Sequence, residues 1–482
     1  MHITLINPNL SGDVSILDIG LGYLSTFLNE RTGHRAEIVD LTYHRRDWRR
    51  RLGEELDRHR PDAIGITCNS LYMHYIRDII RRIKDEDDIP IVLGGYHVSL
   101  LPEESIAEEG VDAICIGDGE KPLTAYLDRL EAGREPSDIQ GLWYRKDGQV
   151  RKSELCELTQ DIDSLPVPDY DLWKDIDKFL FFNGMIYFIA NRGCLYNCSY
   201  CSMAPMKESI PGEHFRKRDP AMFAEEILHQ WRKYRGRGMR IAHMFDSVFT
   251  VDPDWLHAFC TSYRELGLAD DLPFSIFSRA DTLDEPTIAM LAAANCRIVR
   301  IGIEAGDERI RNEVYQKNIT NDTFRDVFRL LHRHGIHATG YNILGGPGET
   351  AETLRATYRF AKELEVDRPI FFTYRPLPKT KGIEHVYAYG GKIDFEKMET
   401  IDSLHGGANV YTGSLTPRQI IWFRRKCLLV FSTIRILKLI RMQKARFFIN
   451  FIKFLIVGLR HGVSPQYIAG YFLVSAGDNL FN

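Results

Sequence analysis

The chain has 482 residues, with 62 Lys plus Arg against 66 Asp plus Glu and a formal net charge of −4. That length is too great for one ordinary hydrophobic core and predicts two or three domains, while the near-neutral charge by itself excludes little. The opening Met1-His2-Ile3-Thr4-Leu5-Ile6 reads as a strand, with neither a charged n-region nor a long apolar h-region. A secretory leader is therefore not expected and a reduced, cytoplasmic setting is.

Over residues 1–137 short aliphatic runs alternate with amphipathic stretches. Residues 3–7, 36–41, 63–68, 89–95 and 113–117 are strand candidates, and 71–84 is one of the helices between them. Strands separated by helices predict a doubly wound parallel sheet, whose ligands bind beyond the carboxyl ends of the strands. The loops at those ends hold Asn7-Pro8, Thr67-Cys68-Asn69, Gly94-Gly95-Tyr96-His97 and Gly117-Asp118-Gly119-Glu120. Small residues there let a large flat ligand lie close to the backbone. From 138 to 185 the chain turns polar, and Pro166 and Pro168 fit neither a helix nor a central strand, which predicts an ordered linker.

Residues 186–390 read as repeated β/α units. Strands are expected at 186–190, 240–245, 274–278, 297–304, 338–344 and 370–374, with helices such as 220–234 and 321–334 between them. Six units predict a partial (β/α)6 barrel with its chemistry at the carboxyl ends of the strands. Directly after the first of these strands come Cys194, Cys198 and Cys201, spaced C-x3-C-x2-C. Three clustered thiolates leave one iron of a 4Fe-4S cluster open to a small molecule. Zinc is the competing reading, but no second pair of Cys or His ligands follows downstream. The other six cysteines, Cys68, Cys115, Cys156, Cys260, Cys296 and Cys427, are scattered singly and read as packing residues.

The spacing of the three cysteines, with Tyr200 before the last, resembles the signature of radical S-adenosylmethionine (SAM) enzymes. Preceded by the Asn-Pro, Gly-Gly-Tyr-His and Gly-Asp-Gly-Glu loops, it resembles the cobalamin-dependent branch of that family. The resemblance implies a cluster held by Cys194, Cys198 and Cys201 that cleaves SAM to a 5'-deoxyadenosyl radical. It also implies a cobalamin that gives a methyl group to an unactivated substrate carbon, and a low-potential electron donor of the flavodoxin or ferredoxin type. Cobalamin contacts would come from Asn7, Pro8, Thr67, Asn69, Gly94, Gly95, His97, Gly117, Asp118, Gly119 and Glu120. The D-x-H-x-x-G motif is missing, since Asp40 and His44 are wrongly spaced. The dimethylbenzimidazole tail would then be displaced without a His replacing it.

For SAM, the resemblance places Asp246 at the ammonium, Ser278 and Arg279 at the carboxylate end, and Glu304 in Gly-Ile-Glu-Ala-Gly at the ribose. Gly345 and Gly346 would support the adenine. Tyr374 and Arg375 end the last strand and are candidate substrate contacts, and Lys379 stands where relatives often carry Gly. Radical cyclisation or oxidation without net methylation is the alternative chemistry, and a non-catalytic cobalamin or iron-sulfur sensor is the alternative class.

Residues 391–482 are expected to be helical and basic. Between 403 and 477 there is no Asp or Glu, whereas Arg424, Arg425, Lys426, Arg435, Arg441, Lys453 and Arg460 are among the cations in that stretch. No apolar run reaches the length of a transmembrane helix. Two readings compete: a helical cap on the barrel, or an amphipathic surface lying on anionic lipid, in which case the protein is membrane-associated and its substrate lipid-like. No nucleic-acid recognition motif is present, and no nucleic acid is expected.

Overall fold

Aliphatic residues bracketed by Asn, Gly and Asp set the first sheet. The computed structural model describes residues 1–11, 17–400, 407–443 and 445–460. Strands β1 (His2–Asn7), β2 (Arg35–Asp40), β3 (Ala63–Thr67), β4 (Ile91–Gly94) and β5 (Ala113–Cys115) pair in parallel in the order β2-β1-β3-β4-β5. Ile3, Leu5, Ile64, Ile91 and Leu93 are buried, as expected of strands covered on both faces.

The sheet does not stop at residue 137. β6 (Leu142–Lys146) and β7 (Gln149–Arg151) extend it with two antiparallel strands beside β5. They are joined by Asp147-Gly148, both at positive φ (50° and 73°), the geometry of a two-residue hairpin turn. The rest of the connector is anchored by burial. Trp173 and Tyr170 are among the largest fully buried side chains, the Tyr170 hydroxyl donates to the carbonyl of Tyr187, and Gln230 Nε2 donates to the Pro168 carbonyl at 2.8 Å.

The second sheet consists of β8 (Met185–Phe188), β11 (Ile241–Met244), β12 (Phe274–Ser278), β13 (Cys296–Glu304), β14 (His337–Leu344) and β15 (Arg368–Thr373). All six are parallel, in the order β15-β14-β13-β12-β11-β8. This is the open β/α arrangement expected from the repeated units. A short ribbon, β9 (Asn191–Arg192) with β10 (Arg216–Lys217), projects between the two sheets, and β16 (Lys392–Ile393) with β17 (Val410–Tyr411) forms another beyond β15. One hydrophobic core runs from Ile3 and Leu5 through Tyr170 and Trp173 to Phe188 and Ala224, so the two units share packing.

The C-terminal region is helical, as expected, in Pro417–Gln443 and Ala445–Arg460. Arg424 Nε donates to the Phe371 carbonyl of β15 at 2.6 Å, and Phe454 stacks on Phe181 with centroids 5.4 Å apart. Among the described residues no helix is long and apolar enough to cross a membrane. The sequence expectation for 461–482 lies outside the described residues.

Candidate active site

The three cysteines follow Gly193, whose φ is +95° and whose Cβ, were there one, would lie 1.7 Å from the His214 carbonyl oxygen. Only glycine allows β9 and β10 to approach so closely. Cys194, Cys198 and Cys201 are free and half-buried, while Cys68, Cys115, Cys260, Cys296 and Cys427 are buried. Burial pushes the Cys201 thiol up to about 11, with Cys198 and Cys194 in electrostatic reach adding to the rise, and burial also raises Cys194. Two of the three thiols, Cys194 and Cys201, ionise reluctantly alone, which fits a cationic cluster that deprotonates a coordinating thiol outright. Arg279 Nη1 points at Cys198 Sγ at 3.8 Å, and its guanidinium lies 3.6 Å from the Tyr196 ring centroid. The loop is pinned to the end of β13: the backbone N–H of Ser199 donates to the Tyr315 carbonyl at 3.1 Å, and Tyr200 Oη donates to Glu304 at 2.9 Å.

Asp246 follows β11 beneath this loop. Its Oδ1 accepts the Asn191 backbone N–H at 2.6 Å, its Oδ2 has no hydrogen-bond partner among the described residues, and burial pushes it up to about 7. Glu304 sits at φ +62°, a backbone region costly for a residue with a Cβ, and its Oε1 accepts from both Tyr200 and Lys317 Nζ (2.7 Å). Its Oε2 has no bond within the described residues. Lys317 is buried, and no signal in the sequence singled it out.

Three expectations are corrected here. The Ser278 hydroxyl is taken up by Thr250 Oγ1 at 2.5 Å and Thr282 Oγ1 at 3.2 Å, so it closes a hydroxyl cluster instead of facing a ligand. Arg279 does not offer a free fork: Nε and Nη2 bind Asp281 at 3.0 and 2.8 Å and Nη2 also donates to the Lys317 carbonyl, leaving Nη1 at the cluster loop. The backbone N–H groups of Gly345 and Gly346 are occupied by Glu349 Oε2 at 2.6 and 2.9 Å. Their glycines answer crowding, since a Cβ on Gly345 would meet Ile420 at 2.6 Å and one on Gly346 would meet Tyr315 Oη at 1.9 Å.

Loops of the first sheet face this site. The helix Tyr96–Leu100 packs on Met203–Ser209, which follows Cys201. Tyr96 is 59 % exposed, yet Asp18, Asp118, Arg192 and Cys201 all act on its hydroxyl, so it faces a space bounded by both units. Gly94 has nothing within 4 Å of a hypothetical Cβ, and Gly95, at φ +98°, passes so near Cys68 that a Cβ would sit 2.9 Å from its carbonyl oxygen. Pro8 and Asn69 flank the same strand ends, Asn69 exposed.

Other residues of that set are committed elsewhere. Asn7 Nδ2 donates to Asp40 at 2.9 Å and Thr67 Oγ1 donates to Asp18 at 3.1 Å. Gly117 N–H donates to Ser99 Oγ at 3.0 Å, and Gly119 precedes the helix Glu120–Glu131. His97 is buried, its Nδ1 is 3.0 Å from Ser70 Oγ, and burial pushes it down to about 4. Asp118 pairs with Arg192 at 3.3 Å and with Arg216, and Glu120 pairs with Arg192 at 2.7 Å. These two acids hold the ribbon that carries the cysteines; burial raises the Asp118 carboxyl, but the two arginines outweigh it and hold it below its ordinary range.

Two family models match the chain, a B12 binding domain over residues 11–127 and the radical SAM superfamily over 188–361. The chain is a cobalamin-dependent radical SAM enzyme. Its cofactors are a 4Fe-4S cluster, SAM and cobalamin. It is 29 % identical over 395 residues to an uncharacterized methyltransferase, PH0819, of Pyrococcus horikoshii, covering 80 % of this chain and 82 % of the relative. It is 25 % identical over 445 residues to the anaerobic magnesium-protoporphyrin IX monomethyl ester cyclase of Rubrivivax gelatinosus, covering 88 % and 77 %. Among solved structures, the radical SAM methyltransferase TsrM from Kitasatospora setae, with cobalamin and a 4Fe-4S cluster bound, shares the fold at a TM-score of 0.67 and 23 % identity over 80 % of this chain and 74 % of that one. For this radical SAM enzyme the half-buried cysteine loop fits the cluster, and the open Gly94 edge with Tyr96 fits a flat corrin between the two units.

Proposed function

We propose that this enzyme methylates an unactivated carbon of a small-molecule substrate. The observation that carries the proposal is the placement of the three-cysteine loop between the strand ends of both sheets, held there by Arg192, Asp118 and Glu120. When bound, the cluster and cobalamin supply reductive cleavage of SAM and methyl transfer; the protein supplies position and a dry cavity. Cys194, Cys198 and Cys201 hold the cluster, and Arg279 Nη1 stabilises negative charge at Cys198. The free Oε2 of Glu304 accepts a ribose hydroxyl while Tyr200 and Lys317 fix the other oxygen. The unpartnered Oδ2 of Asp246 accepts the SAM ammonium. Electrons come from a low-potential flavodoxin or ferredoxin type of donor.

The test is anaerobic incubation of the reduced, reconstituted protein with SAM carrying a trideuterated methyl group. 5'-Deoxyadenosine should form, and the label should be recovered on cobalamin by mass spectrometry. Cys198→Ala should abolish both the cluster absorbance and 5'-deoxyadenosine, whereas Cys296→Ala, at a strand-buried thiol, should retain both. Cleavage without label on cobalamin would favour the second reading, radical cyclisation or oxidation, which the likeness to the R. gelatinosus cyclase supports.

We further propose that the helix Ala445–Arg460 rests on an anionic lipid surface. Ile449, Ile452, Ile456 and Leu459 are exposed at helical spacing beside exposed Lys453 and Arg460. Full-length protein should float with phosphatidylserine vesicles and not with phosphatidylcholine vesicles; equal flotation would refute lipid contact.

A further inference from the structure

A continuous row of rings lines one face of the second sheet. Tyr187 of β8 stacks on Phe245, just past β11, with centroids 5.1 Å apart, and Phe245 meets Phe277 of β12 edge-on at 5.6 Å. Phe277 lies 5.7 Å from Tyr341 of β14, which stacks on Phe372 of β15 at 5.8 Å. Their strand neighbours Ile186, Ala242, Ile276 and Val299 are fully buried, as residues pointing to the covering helices should be. Past Tyr187, which is buried, the ring-bearing face is less covered: Phe245 is 42 % exposed, and Phe277, Tyr341 and Phe372 are half-buried.

The same face holds Arg300, only 5 % exposed, its guanidinium 5.8 Å from the Phe277 ring. Its one hydrogen-bonding partner among the described residues is His243 Nδ1, 3.3 Å from Nη1, and no carboxylate pairs with it there. His243 brings no charge to offset the cation. Burial, and then Arg300 itself, hold it well below the imidazole range, so the Nδ1 lone pair is free to accept from Arg300, with Ser275 Oγ 2.8 Å from the same nitrogen. A guanidinium this buried with only a neutral partner is expensive to maintain, and its Nε and Nη2 edge remains available for a bidentate acceptor.

We propose that Arg300 receives a carboxylate of the substrate, whose flat, apolar body lies along the row from Phe245 to Phe372. This rests on the reading that the strand ends above it form the active site. Arg300 stands four residues before Glu304 on β13 and pairs in register with Phe277 of β12, so it lies level with the row of rings. Arg300 is a specificity-determining residue, and the rings supply stacking area independent of charge.

The test uses 1-pyrenebutyrate and its primary amide as probes, titrated into the full-length, reconstituted protein and followed by fluorescence anisotropy. The acid should bind about tenfold more tightly than the amide, the amide having lost the charge-assisted bidentate contact. Arg300→Gln should bind both alike, Arg300→Lys should keep part of the preference, and Phe245→Ala should weaken both about equally. Equal affinities for acid and amide in the unsubstituted protein, a preference surviving in R300Q, or unchanged affinities in F245A would overturn the proposal. 5'-Deoxyadenosine formation, measured in the same samples, separates the two readings. Its absence from the unsubstituted protein would sink the enzymatic assignment, while the acid-to-amide ratio would still decide the fate of the carboxylate site.

Discussion

Among the described residues Glu349 has no cation in reach to offset its burial. The N–H groups of Gly345 and Gly346 favour its ionised form, but burial outweighs them and pushes the carboxyl up to about 8 from an ordinary value of 4.5. The unfolded chain releases this proton near 4.5 and the folded chain keeps it to about 8, so between those values the folded state binds more protons. Stability from this group is therefore full at the acid end and falls as pH rises, by up to about 1.4 kcal/mol per pH unit within the window. Glu349→Gln mimics the protonated form and should flatten that slope. Thermal midpoints of the two proteins compared at pH 5.5 and pH 8 would check it, and parallel slopes would show that Glu349 is already ionised at neutral pH.

At the scale of elements, Arg192 joins the two sheets by ion pairs with Asp118 and Glu120, and by its guanidinium 5.5 Å from the Tyr23 ring. Removing one member of such a buried set leaves charges without compensation, which typically costs about 3–5 kcal/mol. Arg192→Ala should lower the thermal midpoint and expose the ribbon β9–β10 to protease, whereas Lys217→Ala, on an exposed side chain of the same ribbon, should do neither. A midpoint unchanged in R192A would mean that the shared apolar core alone holds the ribbon.

None of this clamp was legible in the sequence. Glu120 and Arg192 are 72 residues apart, and Asp118 and Arg216 are 98 apart. An acid past a strand end reads equally as ligand contact or ion pair until the fold brings its partner near. What is local was legible. Aliphatic runs marked the parallel strands of both sheets, and the cysteine spacing marked the cluster loop. The hairpin β6–β7 was missed although Asp147-Gly148 announces it, because its strands are short and half polar. Lys317 meets Glu304 across 13 residues of irregular chain, including a helical turn of wide pitch at Ile310–Val314, which no periodicity reveals. The glycines of residues 345 and 346 were legible as required but not in their purpose, because crowding by Ile420 and Tyr315 comes from distant segments.

For the molecule as a whole, two units share one core, and a corrin seated between them would need a ligand arrangement that the first unit's loops allow. A histidine supplied from below would give cobalt a nitrogen ligand, and His97 is the histidine beside the glycine loop. Yet it is buried against Ser70, and burial with its pKa near 4 keeps it neutral and packed inside the first unit. The loops that do face the shared space offer Gly94, Asn69 and the exposed Tyr96, none of them an imidazole. Hydroxocobalamin titrated anaerobically into the reconstituted protein and then desalted should remain bound near one equivalent, with the absorbance of the base-off form. The Co(II) form should show no nitrogen superhyperfine splitting in its paramagnetic resonance spectrum. Nitrogen splitting would mean that His97 or the displaced tail reaches the metal, and the burial of His97 would have to open on binding. Loss of cobalamin on desalting, with the cluster absorbance intact, would separate the two cofactors. The first sheet would then serve as a brace for the cysteine ribbon through Asp118 and Glu120, and methyl transfer would give way to cyclisation or oxidation as the chemistry of the barrel.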